Sequence, residues 1–177
     1  MEKAEILKLL KNDDVKLDVL SKLTQTNDPE IIHEIIELLN AEKIEIRGEV
    51  FSTLLLNENN ILEQLLKGLK HQSKNVRGYL ILVLANRNEK NAVQEILKLT
   101  NDSSGLVRTC AYGALGHLAV KESAKEIRKG IFDSNIEAVK SAAYALVRID
   151  EKISQEEKDE LKKLKKIDYE KILKFFN

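Results

Sequence analysis

His33 and Glu34 are the adjacent pair in this chain whose types could begin a metal site. The other two histidines stand beside Gln72 and Leu118, so no second pair faces the first. Neighbouring residues on a helix point about 100° apart, and a metal ion needs several donors converging on one point. The pair therefore reads as surface. Cys110 is the only cysteine, and a catalytic thiolate needs a base or a positive neighbour that its own helical turn does not supply. It reads as a small packed residue. Gly48, Gly78, Gly113 and Gly116 are scattered rather than gathered into a loop that could cradle a phosphate. On these grounds we expect no catalytic, cofactor-binding or metal residues, and no enzyme.

What the sequence does contain is a register. Leu23, Leu54, Leu84, Leu115 and Leu146 follow one another at 31, 30, 31 and 31 residues. Val15, Ile46, Val76, Val107 and Ala138 lie eight residues before each, and Val19, Val50, Leu80, Ala111 and Ala142 four before. A fixed period of this length marks units that cannot bury their own apolar faces and stack instead. Each unit holds two helices, A and B, with apolar residues at helical spacing. The A set Ile31, Ile32, Ile35, Ile36 and Leu39 recurs as Ile61, Leu62, Leu65, Leu66 and Leu69. It recurs again as Ala92, Val93, Ile96, Leu97 and Thr100, and more weakly as Ser123, Ala124, Ile127, Arg128 and Ile131. Asn27-Asp28-Pro29 suits the opening of a helix, and residues 101–105 and 133–135 carry turn chemistry between A and B. The expected fold is all-α: an α-solenoid of about five helix pairs over residues 1–150, closed by a divergent capping pair over 151–177, the whole a single domain. Ile172, Phe175 and Phe176 are the apolar residues expected to cover its end.

The segment Val107-Arg108-Thr109-Cys110-Ala111-Tyr112-Gly113-Ala114-Leu115-Gly116 resembles the B-helix signature of HEAT repeats, most closely the short HEAT-like repeats first associated with bilin lyases. Ile46-Arg47 and Val76-Arg77 repeat its opening, whereas Lys16 and Val139 replace the arginine in the first and last copies. The resemblance implies a solenoid in which a turn aspartate pairs with the arginine six residues on, as Asp102 and Arg108 would. It implies little about activity. Deoxyhypusine hydroxylase, built on the same repeats, holds iron with several His-Glu pairs, and this chain has one. Diverged lyase or hydroxylase activity stays an alternative that bound metal or chromophore would reveal.

Lys and Arg number 29 and so do Asp and Glu, so the chain has no basic excess to favour nucleic acid. Its longest apolar runs are too short to span a bilayer. A lone cysteine with no partner in the chain and a polar start at Met1-Glu2-Lys3 fit a cytoplasmic protein. The B helices add a functional signal. Offsets 2, 6 and 9 from each unit's first apolar residue should face a concave groove, and in a chain that is 33% charged they hold almost no charge. From these we take Gly48, Ser52, Leu55, Gly78, Leu82, Ala85, Thr109, Gly113, Gly116, Lys140 and Tyr144 as partner-binding residues, Lys140 being the charged one. Exposed uncharged surface of this extent marks an interaction site. The expected function is a non-catalytic scaffold that binds a protein or peptide there. Self-association through the same face is the alternative, and close packing of the small residues is the competing explanation of the pattern.

Overall fold

The computed structural model describes residues 1–163, so the expected covering residues Ile172, Phe175 and Phe176 lie outside it. The described residues are helices joined by short turns, with no strand among them. They fall into two compact units, Met1–Glu89 and Lys90–Asn177.

The first unit holds three A/B pairs: α1 (Lys3–Leu9) with α2 (Lys16–Ser21), α3 (Pro29–Glu37) with α4 (Ile44–Leu55), and α5 (Leu62–Gly68) with α6 (Lys74–Asn86). Asp28 caps α3 by accepting hydrogen bonds from the N–H groups of Glu30 (2.9 Å) and Ile31 (3.2 Å), with Pro29 in the first helical position. The repeating leucines Leu54 and Leu84 are fully buried, as are Val50, Leu80, Ile32, Ile35, Ile61 and Leu65 from the other positions of the register. Removing that apolar surface from water, at about 25 cal/mol per Å², is what holds short helices that would not persist alone.

The second unit holds α7 (Val93–Lys98) with α8 (Gly105–His117), α9 (Ala124–Gly130) with α10 (Ile136–Arg148), and then α11 (Gln155–Lys163). Leu115, Leu146, Val107, Ala111, Ala138 and Ala142 are fully buried. Small residues let α8 and α10 approach closely: a Cβ on Gly116 would sit 2.7 Å from the Cα of Ala145. Arg128 stands in the apolar slot filled by Ile36, Leu66 and Leu97 in earlier pairs. It is there to bind α11, donating to both carboxylate oxygens of Glu157 (3.1 and 2.9 Å), to Glu151 (2.7 Å) and to the carbonyl of Lys152.

The arginines do structural work that the resemblance foresaw only in part. Arg47 donates to the carbonyls of Ala41 and Glu42, Arg77 to those of His71 and Gln72, and Arg108 to those of Asp102 and Ser103. Each guanidinium thus satisfies two main-chain acceptors of its own A–B turn, six and five residues back. Arg108 also grips the Asp133 carboxylate through two 2.7 Å bonds. The side-chain pairing expected with Asp102 is corrected: the gripped acid comes from the following turn, while the Asp102 carboxylate accepts from the Ser104 N–H at 2.8 Å.

Candidate functional site

The solvent-facing sides of the B helices are where the uncharged row falls, and burial divides the expected residues. In the first unit Gly48 is exposed, with nothing within 4 Å of where its Cβ would be, and Ser52, Leu55 and Leu82 are half-buried. Gly78 and Ala85 are buried and closed to a partner. The reason is rotational. On α6 the buried stripe widens to include Ile81, Gly78 and Ala85, and the accessible stripe becomes Asn75, Tyr79, Leu82 and Asn86. In the second unit Thr109, Gly113 and Lys140 are half-buried and Tyr144 is 48% exposed, whereas Gly116 is spent on the close approach to Ala145.

Two aromatic residues that the row missed belong to the first unit's B face. Phe51 on α4 and Tyr79 on α6 meet with ring centroids 6.4 Å apart at 58°, a tilted arrangement favoured by the ring quadrupoles. Their signal was available. Phe51 lies three residues after Gly48, and Tyr79 three before Leu82, so each shares a helix stripe with an expected residue. Ser52 Oγ donates back to the Gly48 carbonyl (3.1 Å) and Asn86 Nδ2 to that of Leu82 (2.8 Å), so both donors are already used. In the second unit Ser141 Oγ donates across to the Thr109 carbonyl (2.9 Å), and Lys140 pairs with Glu137 at 2.9 Å.

Groups with chemical potential are disarmed by their surroundings. Burial pushes the Cys110 thiol up to about 11, which leaves about one molecule in ten thousand as thiolate at pH 7. His33 lines a pocket of about 400 Å³ between α3 and α5, together with Glu37, Gln64 and His71. The Ser73 N–H donates to His71 Nδ1 (2.9 Å), which leaves the ring proton on Nε2, 3.3 Å from Glu37. That is the wrong tautomer for a metal at Nε2, and among the described residues no three His, Cys, Asp or Glu converge as a metal site. Nor is any described helix long and apolar enough to cross a membrane.

Residues 62–148 match the family model of HEAT repeats. Among solved structures the chain is similar to a designed armadillo repeat protein in complex with the peptide (KR)4, at 20% identity and TM-score 0.59 over all of both chains. It is similar also to computationally designed armadillo repeat proteins for modular peptide recognition, at 19% identity and TM-score 0.56 over 99% of this chain and 100% of that one. An engineered protein matches at 16% identity and TM-score 0.61 over 99% and 97%. No curated protein matches the chain. At such identities the likeness is one of fold, an all-α solenoid. Helix pairs at one period, their B helices opening on Val-Arg or Ile-Arg in three copies, and the match over residues 62–148 together place this chain in the HEAT-repeat family.

Proposed function

We propose that this chain is a non-catalytic interaction scaffold that binds a partner protein or peptide on the solvent-facing side of its B helices. One observation carries the reading. The accessible B-helix positions Gly48, Ser52, Leu55, Tyr79 and Leu82 are uncharged, in a chain that is 33% charged. Such a row is inexpensive to desolvate against an apolar partner and hard to explain as mere solvated surface. A rigid helical face also loses little entropy on binding. The peptide-binding armadillo designs of similar fold support the general idea, and the raised Cys110 thiol favours a role without nucleophilic chemistry. A lone cysteine is suited to a reducing cytoplasm, which we take as its compartment.

The test places charge on the face. Ser52→Glu combined with Leu82→Glu should abolish capture of the partner from native extract while helical content and melting stay unchanged. Unfolding would favour the packing explanation, and a change in mass by light scattering would favour self-association. Capture, fold and mass all unaltered would sink the reading.

A further inference from the structure

Resting on that reading, we infer that the groove between α4 and α6 takes the apolar face of a partner's amphipathic helix whose α4-side edge is basic. Three observations converge on this occupant. The floor is uncharged: Ser52 and Leu55 on α4, Tyr79 and Leu82 on α6, and Phe51 against Tyr79. A charged side chain seated there would be desolvated without a partner, so the inserted residues must be apolar. The two edges differ. Glu45 and Glu49 run along the solvent side of α4, one turn apart, and neither has a basic partner among the described residues. The outer stripe of α6 carries only the carboxamides Asn75 and Asn86 there. Arg47 and Arg77, the nearest cations on these helices, donate to turn carbonyls. Lys or Arg at i and i+4 on one side of the bound segment would therefore meet carboxylates of matching spacing.

The groove also discriminates between a helix and an extended chain. With α4 of 12 residues and α6 of 13, the track is about 18 Å long, room for three turns of a third helix packing ridges into grooves. An extended segment would need main-chain partners, and the donors best placed to supply them, Ser52 Oγ and Asn86 Nδ2, are bonded within their own helices. A helix satisfies its own main chain and asks only for apolar contact.

The probes are two synthetic helices of about 14 residues sharing one leucine face, one edged with Lys and the other with Glu, with affinity read by fluorescence anisotropy. The Lys-edged peptide should bind tenfold or more tightly than the Glu-edged one. Glu45→Lys with Glu49→Lys should reverse that order, and Leu82→Glu should abolish both bindings. Should the reversal variant unfold, Glu45→Gln with Glu49→Gln takes its place and should erase the preference. Equal affinities, a preference that survives reversal, binding indifferent to Leu82→Glu, or no binding of either peptide would each overturn the inference. If the native partner is lost on charging Ser52 and Leu82 but unaffected by reversing Glu45 and Glu49, the scaffold reading stands and the helical, basic-edged occupant falls.

Discussion

Arg108 shows how much of this molecule rests on single polar residues. Its guanidinium binds two turn carbonyls and the Asp133 carboxylate, and that pair is largely shielded, with side-chain exposures of 15% and 7%. The Asp133 hydrogen bond is the main reason the guanidinium holds its proton even more firmly than usual. Asp133 has a second duty, accepting from the Asn135 N–H at 2.7 Å to set the turn before α10. Asp133→Ala removes both and leaves a shielded charge without its counterion, which should cost about 2–3 kcal/mol. Asp133→Asn keeps a turn acceptor and should cost less. Urea denaturation of the two variants decides it, and losses below about 0.5 kcal/mol in both, the size of an ordinary surface change, would show that the pair is only superficial.

At the scale of elements, the ends of the B helices obey a rule that composition hides. Asn88, Ala119 and Asp150 all have positive φ, at 57°, 52° and 62°. Each follows its repeating leucine by four residues, and the next N–H, of Glu89, Val120 or Glu151, returns to the carbonyl of Leu84, Leu115 or Leu146. With the N–H of the positive-φ residue bonded one turn back, this is the Schellman closure of a helix. The residue that forms it is usually glycine, and none of the three is, so it escaped a reading based on Gly and Pro. α4 ends otherwise: Arg87 reaches back from the following pair to the carbonyls of Leu54, Leu55 and Asn57. Alanine in the left-handed region carries a Cβ clash of about 1–2 kcal/mol, partly offset in a glycine variant by the freer unfolded chain. Ala119→Gly should thus stabilise by about 0.5–1 kcal/mol, read as a higher urea midpoint at unchanged m-value. A loss of stability would mean that the closure is held by something other than backbone conformation.

For the molecule as a whole, what was legible was whatever the period multiplies. Five copies of one apolar pattern overdetermine which residues are buried, and Leu54, Leu84, Leu115 and Leu146 duly are. The accessible face is specified helix by helix. A rotation of the buried stripe on α6 was enough to close Gly78 and Ala85 and to open Tyr79, because neighbouring helix packing, not offset, decides which flank meets water. Charge is likewise local: with 29 groups of each sign there is no net field at neutral pH, and electrostatic stability resides in pairs. Three of these sit in the first unit. Asp13 is held below the usual carboxylate range chiefly by its bond with Lys16, Asp28 by the Ile31 N–H, and Glu63 by Lys67. A carboxylate with a lowered folded value binds protons more readily in the unfolded chain. Its stabilisation is complete above the ordinary carboxylate range and is lost as pH falls through the folded value. Protonating the acids also leaves the cations unopposed, and their repulsion adds to the loss. The urea midpoint should therefore fall steadily between about pH 5 and pH 3. Asp28→Asn, which keeps a capping oxygen but cannot titrate, should flatten part of that fall, whereas a midpoint that holds or rises on acidification would show these pairs to be irrelevant to folding.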